Sequence, residues 1–180
     1  MAGLKANATL LPVVAAGVRE NLVGVAVGVL MEALILSTSD SLRLSGNSGR
    51  VQLVGLVAAA ALWSCNVLAG RRSEVKAHAA AVEIEDVHVL VGQEAARRRT
   101  MRRSQGRVAV FVALFSVVCG YLFRLPLLSL LVPVVLFISL VHAWRISVWE
   151  RRHRVVLWKP SLAEVGREEW RRSPFYSTPK

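Results

Sequence analysis

Residues 127–144 read LLSLLVPVVLFISLVHAW, eighteen consecutive positions without a formally charged side chain. A second uncharged run of sixteen, residues 108–123, precedes it, and only Arg124, Leu125 and Pro126 lie between the two. Neither run alone reaches the ~20 residues that cross a hydrocarbon core comfortably, but each gains length from flanking residues that tilt or snorkel. Pro126 suits the first turn of a helix, where its missing N–H is not needed. The pair reads as a tight helical hairpin.

Two further runs lie upstream. Residues 51–69 give nineteen uncharged positions, and residues 22–36 give a span interrupted once by Glu32 and preceded by Arg19 and Glu20. Residues 9–18 are expected either to lie in the membrane interface or to extend a long tilted helix. Lys5, an apolar stretch and then Val14-Ala15-Ala16 also fit a secretory leader with a small-residue cleavage site, but a permanent helix is the expectation.

The expected fold is all-α: an integral membrane protein with four transmembrane helices arranged as two antiparallel hairpins. The spans fall at about 17–36, 51–69, 108–123 and 127–144 within a single membrane domain covering residues 1–180. An amphipathic helical middle loop (70–107) and a basic tail (145–180) complete it.

Charge is segregated from apolarity. The chain is 54% hydrophobic with a net charge of +11, too apolar for an ordinary soluble domain. Residues 70–107 carry nine Lys and Arg, residues 145–180 carry nine more, and the amino end adds Lys5 and Arg19. The two opposite loops hold only Arg43, Arg50 and Arg124. Four crossings place every basic segment on one face, so both termini are expected inside. The same basic residues account for the charge without nucleic acid, since flanking cations attract anionic headgroups by roughly 1 kcal/mol each. A mitochondrial inner membrane is preferred slightly over a bacterial plasma membrane.

In lipid no hydrophobic force joins helices, so small and polar residues mark the packing faces. Gly17, Asn21, Gly24, Gly28 and Glu32 recur at helical spacing in the first span; Gly55, Ala59, Leu62, Asn66 and Ala69 do so in the second. These stripes are expected to face each other, with Asn21 and Asn66 at similar depth. Glu32 is the one acid inside a span, a candidate functional group by default because ionised carboxylates are costly in hydrocarbon. Pro133 is expected to bend the fourth helix and free a carbonyl for Ser129.

Residues 73–104 are expected to form a helix continuing the second span, acidic at its start (Glu74, Glu83, Glu85, Asp86), basic at its end and stopped by Gly106. An apolar stripe of Ala80, Ile84, Val87, Val91 and Ala95 would run along it, a short strand at 87–91 being the rival. Arg97, Arg98, Arg99, Arg102, Arg103, Arg151 and Arg152 are the expected contacts for partner subunits or for anionic lipids such as cardiolipin. In the tail, Ser161 and Glu164 match a capping box. The last eight residues, SPFYSTPK, are expected to be extended and held by something else; Trp158 and Trp170 suit docking onto a partner.

Reactive constellations are missing from the sequence. His78 and His88 are ten apart, His142 and His153 eleven apart, and no Cys or acid joins them at a metal-ligand spacing, so the histidines are expected to be interfacial or solvated. Cys65 and Cys119 lie in apolar runs as small hydrophobes. No catalytic residue, cofactor or metal is expected. The expectation is a non-catalytic accessory subunit of a larger membrane complex of the respiratory or ATP synthase type. A small proton-coupled transporter or channel using Glu32, and a membrane-shaping hairpin protein, are the alternatives.

Overall fold

The computed structural model describes residues 9–38, 47–84, 90 and 92–179. Glu85, Asp86, Val87, His88 and Val91 of the expected loop helix lie outside the described residues, as do Lys5, Arg43 and Lys180. The molecule is mostly helical (80%), and four helices are long and apolar enough to cross a membrane: Val13–Thr38, Gly49–Ala69, Glu94–Leu122 and Pro126–His153.

In chain order the elements are β1 (Leu10–Pro12), α1 (Val13–Thr38), α2 (Asn47–Ala69), α3 (Arg71–Ala79), β2 (Val82–Glu83) and α4 (Glu94–Val117). A π-helical turn (Val118–Leu122) prolongs α4, followed by α5 (Pro126–Ser129), α6 (Leu131–His153), β3 (Val155–Pro160), α7 (Leu162–Val165), α8 (Arg167–Arg172) and β4 (Tyr176–Pro179). They form two compact units, one of residues 1–17, 70–103 and 143–180, the other of residues 18–69 and 104–142.

The first unit contains a four-stranded sheet of order β1-β3-β4-β2, which the all-α expectation missed. β3 lies antiparallel to both β1 and β4, while β2 runs parallel to β4. Arg154, at φ 52°, ends α6 and turns the chain into β3, whose Val155, Val156 and Trp158 favour a pleated, half-buried surface. Residues 176–179 of the tail, expected to be extended, are β4 between β3 and β2. Leu10, Leu90 and Tyr176 form the core, with Ile84 and Trp158 packed against it. Leu157 is fully buried, and its N–H donates to Glu150 Oε1 at 2.9 Å.

The outer edge of β1 is closed by side chains. Leu10 N–H donates to Gln93 Oε1 at 3.1 Å, and Arg97 Nε donates to the Leu10 carbonyl at 3.1 Å. A second guanidinium nitrogen of Arg97 donates to the Leu90 carbonyl at 3.0 Å, and its Cζ lies 4.7 Å from the Trp158 ring centroid. An open strand edge is a template for association, and here its exposed backbone groups are already answered.

Three local expectations are corrected. The loop is not one helix leaving the second span: α3 and β2 intervene, and the arginines at 97–103 belong to α4, which runs on into the third span. Gly106 lies inside α4 instead of ending it, its helix cost of about 1 kcal/mol being small beside the long helix that continues through it. Ser161 is the N-cap of α7 but makes no side-chain cap bond; Glu164 Oε2 accepts instead from Thr9 N–H at 2.6 Å. Gly166, at φ 78°, then separates α7 from α8.

Burial raises the Tyr176 phenol above its ordinary value. Between the ordinary and the raised value the unfolded chain has lost this proton and the folded chain has not, so stability falls as pH rises above ~10. Tyr176→Phe is expected to flatten this alkaline decline. Unfolding midpoints followed by tryptophan fluorescence from pH 8 to 11 measure it, and an unchanged slope would mean the phenol titrates freely.

Candidate functional site: a polar contact among apolar helices

The second unit is organised by one face of α1, on which Gly24, Gly28, Glu32 and Ile35 are buried. Steps of four, four and three keep these residues on one side of the helix. A methyl added at Gly24 would strike Leu136 Cδ1 and come within 3.0 Å of Val108 Cγ1. One added at Gly28 would strike the Pro133 ring, and one at Gly120 would come within 2.5 Å of Ile35 Cδ1. The glycines let α1 approach α4 on one side and α6 on the other, as close helix packing in lipid requires.

These pairings define directions. Gly24 with Val108 and Ile35 with Gly120 ascend together, so α1 and α4 run parallel. Gly24 with Leu136, Gly28 with Pro133 and Glu32 with Ser129 run in opposite order, so α5 and α6 pass α1 antiparallel.

Glu32 is 7% exposed, Ser129 1% and Ser116 1%, which puts three polar side chains in the interior of an apolar unit. The Ser129 hydroxyl contacts Glu32 Oε2 and also lies 2.5 Å from the Pro126 carbonyl oxygen. The interruption at Leu130 between α5 and α6, three residues before Pro133, leaves Ser129 at the end of its own short helix. Among the described residues, the Ser116 hydroxyl has no hydrogen-bond partner. Nearby, Leu127 N–H donates to Gln52 Oε1 of α2 at 3.2 Å, and the Thr38 and Tyr121 hydroxyls are bonded to each other.

The other expected site residues are scattered. Gly17 and Gly55 have nothing within 4 Å of an added methyl; Asn21 and Ala59 are half-buried, and Asn66 is exposed. At Gly24 and Gly28 the small face of α1 meets α4 and α6, whose Val108, Pro133 and Leu136 fill the glycine gaps. Arg98, Arg99, Arg102, Arg103, Arg151 and Arg152 are exposed, with Arg98 2.5 Å from Glu94. Arg97 differs because its guanidinium is engaged by the Leu10 and Leu90 carbonyls inside its own unit.

Both tail tryptophans expected to await a partner carry cations of their own chain. Trp158 lies under Arg97, and Trp170 lies 3.7 Å from Lys159 Nζ, which is 4.4 Å from the Phe175 ring as well. Burial lowers the Lys159 ammonium below its ordinary value, while the two ring faces favour its charged form. His78, expected to be interfacial or solvated, is buried, its ring 4.8 Å from Phe175 edge-on and 5.4 Å from Trp149. Among the described residues no three His, Cys, Asp or Glu side chains gather as metal ligands.

The arrangement at Glu32 can exchange hydrogen bonds and hold a proton. Sequence reading singled out Glu32 and missed Ser116. The missed signal was spacing: Ser116 stands eight residues after Val108 and four before Gly120, on the α4 face that meets α1. No family model, curated protein or solved structure matches the chain.

The glycine contacts carry a direct expectation. Gly28→Ala is expected to cost about 1–3 kcal/mol, because a proline ring cannot swing aside. Gly55→Ala should be neutral, or stabilising by up to ~1 kcal/mol from helix propensity. Thermal midpoints of the two variants in detergent compare them directly; equal midpoints would contradict the close approach of α1 to α6.

Proposed function

We propose that the chain is a non-catalytic subunit of a larger membrane complex, contributing a helical scaffold and a small ordered sheet. The observation that carries this reading is the bareness of α2. Only 6% of its span is buried, against 22%, 22% and 17% for the other three. Apolar residues such as Val54 and Leu62 are content against lipid tails, but Gly55 faces open space and Asn66 is exposed with a polar amide in an apolar helix. A groove of small residues beside a polar group is filled better by another helix than by a flexible acyl chain. Within the unit α1 packs on α4 and α6, while α2 touches α5 through Gln52 and leaves Gly55 and Asn66 uncovered, which supports a helix of another polypeptide on that face.

Charge supports the same reading. With both termini and the middle loop on one face, in two hairpins, Arg98, Arg99, Arg102, Arg103, Arg151 and Arg152 form a cationic surface for anionic lipid such as cardiolipin and for acidic partner segments. An energy-transducing membrane, mitochondrial ahead of bacterial, is the proposed setting, and a respiratory or ATP synthase assembly the proposed class.

Cys65 is exposed on α2 and provides a natural attachment point for a photo-crosslinker. After extraction from the native membrane in mild detergent, the labelled chain is expected to join a different polypeptide in one dominant product. Migration at its own 19.7 kDa, with crosslinks to lipid alone, would defeat the proposal.

A further inference from the structure

We infer that Glu32, Ser129 and Ser116 form an exchangeable proton site inside the membrane, with the Pro126 carbonyl as its fourth member. The case rests on counting hydrogens. A serine hydroxyl carries one hydrogen, and a backbone carbonyl carries none. Ser129 Oγ lies 2.5 Å from the Pro126 carbonyl oxygen and also contacts Glu32 Oε2, so its one hydrogen faces two acceptors. An ionised Glu32 would have to share that one hydrogen with the Pro126 carbonyl, whereas the acid form brings a hydrogen of its own to the contact. The line runs from the Glu32 carboxyl O–H to Ser129 Oγ, and from Ser129 O–H to the Pro126 carbonyl.

A second arrangement is available when the proton leaves to water. The Ser129 hydrogen turns from Pro126 to the carboxylate, and a carboxylate in hydrocarbon calls for more than one donor. Ser116 is the other hydroxyl at this depth. The parallel register that puts Val108 beside Gly24 and Gly120 beside Ile35 brings Ser116 level with Glu32, on the α4 face toward α1. Its Oγ is buried and without a partner in the protonated arrangement. A buried unpaired hydroxyl costs free energy, and a role in a second protonation state gives it a partner for part of the time.

Among the described residues, no competing charge lies beside Glu32. On α4, Cys119 and Tyr121 lie further along toward the outer end; residues 126–141 carry no titratable side chain; α2 brings Gln52, with Arg50 exposed at its start; Arg124 is exposed in the turn. None of the described cations stands by to hold a permanent carboxylate. A merely structural acid would need only one satisfied state, whereas these four groups have hydrogen-bond partners for two.

The full chain in lipid nanodiscs, wild type against Glu32→Gln, tests this by infrared difference spectroscopy and by labelling with an apolar carbodiimide, which attacks protonated carboxyls. At neutral pH the expected difference is a carboxylic-acid C=O band that shifts on transfer to D2O, together with one carbodiimide adduct per chain at Glu32. Raising the pH should replace the acid band with carboxylate bands. In Ser116→Ala the pH of half-conversion should rise by about one unit, because a donor to the ionised form is gone. A carboxylate band already present at neutral pH would overturn the proposal, and so would an acid band that does not shift in D2O. Ser116→Thr, which retains the hydroxyl, is expected to restore the midpoint; an unrestored midpoint would make Ser116 a packing residue only and remove it from the site.

Discussion

Lipid offers no hydrogen bonds, and the helical unit is organised by that single fact. Every polar atom carried into a span must find its partner in the chain, because the alternative costs several kcal/mol. Glu32 therefore sits on the face of α1 that is walled by other helices, and Ser129 meets it there. The same solvent supplies no hydrophobic force to press helices together. Contact has to come from fit, and the fit is glycine against bulk: Gly24 against Leu136 and Val108, Gly28 against the Pro133 ring, Gly120 against Ile35. Close approach and polar satisfaction are thus one requirement, since the glycines that admit α4 and α6 also bring the carboxyl within reach of a hydroxyl.

The sheet unit answers a different problem with side chains of the opposite character. Its strands have two to six residues, too few for backbone pairing alone to hold them. Arg97 supplies what the short β1 lacks. Its planar fork reaches two carbonyls from different segments while its flat face rests on Trp158, a combination that the point charge of lysine does not reproduce. Lys159 plays a simpler part: its stem and ammonium lie between Trp170 and Phe175, so a buried cation is balanced by ring faces. Glu150, Glu164 and Gln93 each take a backbone N–H that no strand partner reaches.

The four spans were legible because their signal is compositional: a run of uncharged residues about as long as the bilayer is thick declares itself within one window. The sheet was not legible, because β1, β2 and the β3–β4 pair come from segments separated by whole membrane helices, and β3 and β4 are themselves parted by two short helices. Arg97 and Arg98 illustrate the limit. They are adjacent and chemically identical, yet one lies under β1 and the other points outward to Glu94; the difference is a 100° step around α4 that matters only once β1 is in place. The partner of the α1 stripe was hidden for a related reason. Two similar small-residue stripes suggest that they meet, but a glycine gap accepts a proline ring and a leucine as readily as another glycine, and the sequence ranks no such pair above another.

Two arginines hold positive φ, Arg124 at 53° and Arg154 at 52°, where glycine would be the unstrained choice. At Arg124 the lipid constraint explains why the strain is tolerated. The chain must turn from the third span into the fourth within three residues, and the carbonyls ending the π-helical turn need donors at a point where water is scarce. With Arg124 left-handed, Leu125 N–H reaches back to the Cys119 carbonyl at 2.8 Å, six residues away, and Phe123 N–H reaches Val118 at 3.0 Å. The strain costs about 1–2 kcal/mol, less than leaving a carbonyl unanswered in hydrocarbon. Glycine would close the same turn without strain but would bring no charge to its tip. An exposed guanidinium there reaches the aqueous face and resists being drawn into the bilayer, so one residue both completes the backbone bonding and marks where the membrane ends.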